Sequence, residues 1–518
     1  MIRRDETGQT VSLWAETVSL PRFPPLGENA EADVCVVGAG IAGLMTAYLL
    51  CREGRLVVVI DDGPIAGGQT QRTTAHLSNA IDRRYMNIER LHGEEGARLT
   101  AQSHSQAIDL LEAIARDERI DCDFERLDGY LFLAPDHSAD LLEEELAAAK
   151  RAGLSDVARV ERFASGGFDP GPCLRFPRQA QFHMLKFAEG LVRAIQRDGG
   201  RLFTHTHAAK IEDGTPARVE VDGGYTIVAR DVVVATHTPV NDRVAIHAKQ
   251  AAYITYVIGA LVPRSSMTRA LYWDTHDPYH YVRLHSPPGD APHDVLIAGG
   301  EDHKTGQTRS PEAHFERLER WARERFSAIQ EVPFRWSGQV MESIDGLAYM
   351  GRNPNDDHVY VITGDCGMGM THGTLGVRLV TDEIVGRENS WAALYDPSRK
   401  TLRAAGTFAS ENLNVLEQYV RWITPGDVGS ADAILPHQGA VIRRGASKLA
   451  VYRDPRGELH TLSAVCPHLG CIVEWNSAEK TWDCPCHGSR FDRFGKVLEG
   501  PANVGLSEAP APAEIGKK

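Results

Sequence analysis

Apolar residues along this chain of 518 residues fall into short unbroken runs separated by longer stretches of helical spacing. Asp33-Val-Cys-Val-Val37 and Leu56 to Ile60 are runs without a polar face, the pattern of parallel strands covered on both sides. Between them lie Gly38-Ala-Gly40-Ile-Ala-Gly43 and an apolar stretch through Leu50, so the order is strand, glycine turn, helix, strand. Glu94 to Arg116, with Leu99, Ile108, Leu111 and Ile114 at near-helical spacing, predicts a helix, as do Ala139 to Ala152 and Leu185 to Ile195. Val232 to Ala235, Val295 to Ala298 and Val359 to Ile362 are further short strands that run into Gly, Thr or Pro. This alternation predicts an α/β region with a doubly wound domain, interleaved with a mixed-sheet portion.

The texture changes after a last helix from about Asn412 to Trp422. Short strands (Ala440 to Ile442, Leu449 to Tyr452) and turns such as Asp454-Pro-Arg-Gly457 predict a small all-β domain over 424–518. Residues 1–31 are polar and carry Pro21, Pro24 and Pro25, the makings of an extension wrapped over the surface.

The balance of 56 basic against 70 acidic residues, net −14, works against nucleic acid or an anionic membrane as the main partner. The longest apolar stretch, Val34 to Leu50, is interrupted by three glycines, so no transmembrane segment is expected. Ala15-Glu16-Thr17 breaks any signal core behind Arg3 and Arg4, and a cytoplasmic location is the expectation. Of nine cysteines, Cys35, Cys51, Cys122, Cys173 and Cys366 are scattered, whereas Cys466, Cys471, Cys484 and Cys486 crowd together. A stapled secreted protein distributes its cysteines differently, and the crowding points to a metal.

Two loops carry that signal: Cys466-Pro-His468-Leu-Gly-Cys471 and Cys484-Pro-Cys486-His487-Gly-Ser489. Each offers a Cys and a His close together, which suits a [2Fe–2S] centre with thiolates on one iron and imidazoles on the other. Tetrahedral zinc is the alternative, although zinc fingers group Cys with Cys and His with His. Residues 424–518 resemble the Rieske domains of cytochrome complexes. The resemblance implies Cys466 and Cys484 on one iron, His468 and His487 on the other, and a Cys471–Cys486 disulfide tying the loops, with free thiols the alternative in a reducing cytoplasm. Gly500-Pro501-Ala502 is similar to the loop that covers the cluster in that family.

Gly38-x-Gly40-x-x-Gly43, between a strand and a helix and followed by Asp61 at the end of the next strand, is the arrangement that holds a dinucleotide. The backbone approaches a pyrophosphate at the helix N-terminus while the carboxylate holds ribose hydroxyls. The order of that turn, Gly67 to His76, Val234 to Pro239 and Thr363-Gly-Asp-Cys-Gly367-Met-Gly369-Met370-Thr371 resembles the FAD-dependent D-amino-acid oxidase superfamily, which includes glycine, sarcosine and glutamylputrescine oxidases. The resemblance spans about residues 30–400. It implies FAD binding over about 32–84, 166–240 and 335–400, and a substrate domain over about 85–165 and 241–334, within an oxidoreductase region of 32–423. It places Thr70, Arg72, Thr73 and Thr74 along the pyrophosphate and flavin. Ala208 would offer its backbone to adenine, and Gly367, Gly369, Met370 and Thr371 would line the isoalloxazine. The two halves together resemble bacterial FAD-dependent oxidoreductases with a C-terminal Rieske domain.

Within that likeness Tyr279-His-Tyr281-Val-Arg283 occupies the strand presented to the flavin. Period-two alternation sets Tyr279, Tyr281 and Arg283 on one face, where a tyrosine and an arginine could grip a substrate carboxylate. Asp274, His276 and His280 hint at a two-His, one-carboxylate iron site, and His183, Trp336 and His372 are further candidates beside the flavin. The expected function is a flavin dehydrogenase that oxidises a small amine or amino acid and passes electrons through the cluster to an external acceptor, a protein or quinone-like molecule. The alternatives are a reductase or monooxygenase component fed by an external donor through the Rieske domain, and a non-catalytic redox sensor.

Overall fold

The computed structural model describes residues 8–163, 165, 167–241 and 246–510. Two large sheets and a small β domain make up the architecture. The first sheet has eight strands, in the order Tyr349–Arg352, Val359–Thr363, Thr226–Val234, Ala30–Val37, Val57–Ile60 and Arg201–Phe203, with the pair Ala208–Glu212 and Ala217–Val221 joined to Thr226–Val234. From Val359–Thr363 to Arg201–Phe203 the pairing is parallel. Successive residues serve two cores: Val57 and Val59 pack with the helices Ile41–Arg52 and Gly369–Ile384, and Val58 and Ile60 with the pair beginning at Ala208. Cover on both faces is why these strands have no polar face.

The second sheet has nine strands: Phe334–Ser343, Gln250–Pro263, His293–Lys304, Tyr281–His285, Leu271–Asp274, Glu125–Phe132, Cys173–Gln181 and His76–Leu77 in order, with Ala158–Val160 beside Cys173–Gln181. Cys173–Gln181 and Phe334–Ser343 pair within this sheet, whereas the resemblance groups about 166–240 and 335–400 with FAD binding. Apolar runs reveal a strand but not its sheet, which is set by pairing across distant parts of the chain. The predicted helix at Glu94 is the second part of Tyr85–Asp117, which kinks at Gly93 (φ 78°). The N-terminal segment is more than a surface wrap: Trp14 is fully buried and donates from Nε1 to the Thr73 carbonyl at 2.6 Å.

A helix, Ala405–Gln418, and a 3₁₀ turn, Tyr419–Trp422, lead to the small domain. That domain consists of a three-stranded sheet (Gln438–Arg444, Ser447–Arg453, Leu459–Ser463) and a four-stranded one (Glu474–Asn476, Thr481–Asp483, Arg490–Asp492, Val497–Glu499). It is docked on the larger region through buried polar contacts. Arg72 pairs with Glu479 at 3.1 Å, both side chains no more than 2% exposed. Ser337 also donates to Glu479, and Gln339 Nε2 donates to the Gly488 carbonyl at 2.8 Å. Loss of one partner of such a buried pair costs about 3–5 kcal/mol, because the other charge is left without compensation.

Candidate functional site

The glycine turn has the geometry its sequence predicts. Gly38 has φ +105°, and a Cβ there would meet the Ala235 carbonyl oxygen at 2.5 Å, while a Cβ on Gly43 would collide with the carbonyl oxygen of Gly38. The helix can therefore start close against the strand. Asp61 closes the second strand and braces the turn, its two oxygens accepting from the N–H groups of Ala39 (2.6 Å) and Gly63 (2.8 Å). Burial, with Asp62 beside it, pushes its carboxyl up to about 7. Thr70 Oγ1 accepts from the Ile41 N–H at 2.9 Å.

One cavity brings most of the expected residues together. Gly38, Gly40, Asp61, Thr70, Arg72, Thr73, Thr74, Ala208, Gly367, Gly369, Met370 and Tyr281 all line it. Thr371 does not, since its hydroxyl is turned back to the Met368 carbonyl at 3.2 Å, and Gly43 serves the packing behind the turn. Arg72 lines the wall, but its guanidinium is committed to Glu479 and to the Ser337 carbonyl at 2.6 Å. Its charge joins the two domains.

Arg283 departs from the carboxylate clamp. It is buried (2% exposed) and donates to the carbonyls of Thr74, Ala75 and Phe182 at 3.0, 2.8 and 3.2 Å, over the ring of Trp14. Burial lowers its pKa to about 9. Tyr281 on the same strand reaches the cavity, whereas Arg283 lies beneath the Thr74–Ala75 segment and holds it up. Arg283→Met is expected to destabilise the fold by about 3 kcal/mol or more, the cost of stripping buried carbonyls of their donor, as measured by denaturant unfolding.

Tyr279 does not line the cavity but donates to Asp82 Oδ2, and both groups lie against Gly367, which does. Of the proposed iron ligands, Asp274 accepts from the N–H groups of His276 and His280 and from His280 Nδ1 at 2.9 Å, so it braces a turn. His183 caps the helix Met184–Arg197. Trp336 donates to the Arg72 carbonyl at 2.8 Å, behind the wall. His372 does line the cavity, with Nδ1 2.7 Å from the Asp365 carbonyl.

The wall suits a ligand with many polar groups. His237 Nε2, His372 Nε2 and Gln339 Oε1 are buried in lining residues and have no hydrogen-bond partner among the described residues. Gln339 was not legible as a site residue, and neither was Glu499 or Asn503, which line the cavity from the small domain, whereas His237 falls inside the Val234 to Pro239 segment that carries the family resemblance. The one sequence signal for Glu499 and Asn503 was that they flank Gly500-Pro501-Ala502.

In the small domain the imidazoles of His468 and His487 have centroids 5.0 Å apart. The free thiols of Cys466 and Cys484 are within hydrogen-bonding reach of each other, and Cys471 and Cys486 are bridged, with Cα atoms 6.4 Å apart. Two thiols and two imidazoles remain as ligands, the donor set of a mixed-ligand [2Fe–2S] centre. Ser489 donates to Cys466 and accepts from the Ala502 N–H at 3.0 Å. Phe491 is fully buried in the same core as Cys466 and Cys484. A hydrogen bond to a ligand sulfur stabilises the reduced cluster, so Ser489→Ala is expected to lower the potential and Phe491→Tyr, if its hydroxyl reaches a sulfur, to raise it. Redox titration reads both, and an unchanged potential in Phe491→Tyr would mean the ring points elsewhere. The histidine edge faces the larger region, where His247, itself buried, has its ring 5.1 Å from His468 and 6.3 Å from His487.

The FAD dependent oxidoreductase family (DAO) matches residues 33–383, more than half of the chain. The chain belongs to this family. A Rieske [2Fe-2S] domain matches residues 425–510, and with it the zinc alternative falls away. The Rieske 2Fe-2S iron-sulfur protein YhfW of Bacillus subtilis (strain 168) is 31% identical over 493 residues, covering 94% of this chain and 95% of that one. The gamma-glutamylputrescine oxidoreductase of Escherichia coli (strain K12) is 26% identical over 407 residues, 74% of this chain and 92% of its own. The crystal structure of glycine oxidase from Geobacillus kaustophilus has the same fold over 72% of this chain and 100% of its own, with TM-score 0.60 and 18% identity. The protein is thus an FAD-dependent oxidoreductase of this family with a Rieske [2Fe–2S] domain. Among the described residues no helix is long and apolar enough to cross a membrane.

Proposed function

We propose that the protein oxidises a small amine or amino acid and delivers the electrons through its own Rieske cluster to an external acceptor. FAD supplies two-electron chemistry and a [2Fe–2S] centre one-electron chemistry, and the chain's residues bring the two together. The observation that carries the electron route is the shared wall. Gln339 lines the cavity and donates to the carbonyl of Gly488, the neighbour of His487. Val497 to Gly500 line the same cavity from the Rieske side. We assign Gly38, Gly40, Asp61, Thr70, Thr73, Thr74, Ala208, Gly367, Gly369 and Met370 to FAD, and Cys466, His468, Cys484 and His487 to the cluster.

An amine is favoured over a carboxylate-bearing substrate. Arg72 is the one Lys or Arg among the described residues of the cavity wall, and its guanidinium is taken up by Glu479. Asp82, against Gly367, has Asp302 and Glu342 as neighbouring acids, with Arg83 paired to Glu342 at 3.0 Å. A relative named gamma-glutamylputrescine oxidoreductase supports an amine as the group oxidised. Burial, then the charges of Glu342 and Asp302, push the Asp82 carboxyl up to about 7 against the hydrogen bond from Tyr279 and the charge of Arg83. Asp82 does not itself line the cavity, but above that pH its charge behind Gly367 favours an ammonium group there, and below it the carboxyl is neutral. The expected result is a kcat/KM for amines that rises as pH passes about 7, and loses that rise in Asp82→Asn. A screen of amines and amino acids in the absence of oxygen, following flavin bleaching, tests the substrate class. Bleaching by amino acids and by no amine would remove the amine preference.

A further inference from the structure

The larger region alone does not complete the FAD cavity. Val497, Leu498, Glu499, Gly500, Ala502 and Asn503 of the Rieske domain form part of its wall. These residues meet the larger region by specific bonds. Asn503 Nδ2 donates to the carbonyls of Ala208 and Ala209, both at 3.0 Å, and the Asn503 carbonyl lies 2.9 Å from His207 Nε2. Gln69 Nε2 donates to Glu499 Oε1 at 2.8 Å. A Cβ on Gly500 would come within 3.3 Å of Val240.

The end of the cavity they close is set by the dinucleotide turn. A glycine turn and helix N-terminus take the pyrophosphate, and the carboxylate after the second strand takes the ribose beyond it, so the adenosine half lies on the Asp61 side. Thr206 donates its N–H to the Asp61 carbonyl at 2.8 Å, and His207 Nδ1 is 3.5 Å from Asp62. Asn503 is bonded to the segment that continues directly from these two residues.

We propose that the Rieske domain is a structural part of the FAD site, with Asn503 as a positioning residue that fixes the Ala208–Ala209 backbone against the adenosine half of the dinucleotide. The domain then has two tasks, holding the cluster and closing the cavity over FAD. The inference rests on the assignment of this cavity to FAD, and not on the identity of the substrate or the direction of electron flow.

The test uses full-length protein depleted of flavin but retaining its iron, titrated with FAD and with FMN, which lacks the adenosine half. Asn503→Ala is expected to raise the Kd for FAD about ten-fold or more while the Kd for FMN stays within two-fold, with iron and sulfide content unchanged. Asn503→Asp, which keeps the side-chain volume but sets an acceptor against two carbonyls, should weaken FAD at least as much. An FAD affinity within two-fold of the unaltered protein in both variants would overturn the proposal. Equal weakening of FAD and FMN, or loss of iron together with FAD, would also overturn it, because either would make Asn503 a general support of the fold. Failure of the unaltered protein to prefer FAD over FMN would instead strike at the assignment of the cavity itself.

Discussion

The His487→Ala protein is expected to lose its [2Fe–2S] cluster and keep its FAD. An iron held by two imidazoles cannot keep its coordination when one is removed, and an alanine offers no donor in exchange. The loss should stay local. The disulfide between Cys471 and Cys486 still ties the two ligand loops, and the buried Arg72–Glu479 pair still docks the domain. The unaltered protein should carry about two irons and two acid-labile sulfides per chain, the content of one such centre, and give the Rieske EPR signal. The variant should give neither, with its flavin absorbance retained. A cluster of full intensity in His487→Ala would mean that the ligands had been misassigned, and loss of FAD along with iron would mean that the ligand loops support the whole interface.

Gly40→Val is expected to have the opposite selectivity, abolishing FAD retention while iron and sulfide stay near their normal content. Gly40 caps the helix Ile41–Arg52 and lines the cavity. Even a Cβ there would stand 3.0 Å from Thr70 Oγ1, which is bonded to the Ile41 N–H. The two further methyl groups of valine would occupy the space in which a pyrophosphate approaches the backbone. The cluster loops lie in another domain and make no use of this turn. Gel filtration followed by flavin and iron analysis reads the result, and full FAD content in a folded variant would place the dinucleotide elsewhere.

Chemistry carried by residues close in sequence was legible, and chemistry that depends on distant partners was not. The cluster loops announce themselves because each brings its Cys and His together over a few residues. The dinucleotide turn does so because strand, turn and helix are consecutive. The resemblance sets Arg72 along the pyrophosphate and flavin, and nothing local reveals Glu479, 407 positions away, as the partner of its charge. The alternation rule put Tyr281 and Arg283 on one face, but it could not show that the Thr74–Ala75 backbone covers the second of them. Asp82 sits in no motif, and its raised pKa comes from burial and from acids brought near only by the fold. The sheet that Cys173–Gln181 joins was not legible for the same reason, since its partners Glu125–Phe132 and His76–Leu77 are recognised by pairing and not by composition.

The most direct measurement of the central claim is a titration without oxygen, in which an oxidisable amine is added to the holoenzyme while flavin absorbance and the Rieske EPR signal are followed together. The account predicts that the flavin bleaches and that the reduced-cluster signal then appears in the same protein without any added carrier. It also predicts that His487→Ala bleaches at the same substrate concentration without the EPR signal. A flavin fully reduced by substrate beside a cluster that stays oxidised, though dithionite reduces it, would contradict the route from flavin to cluster.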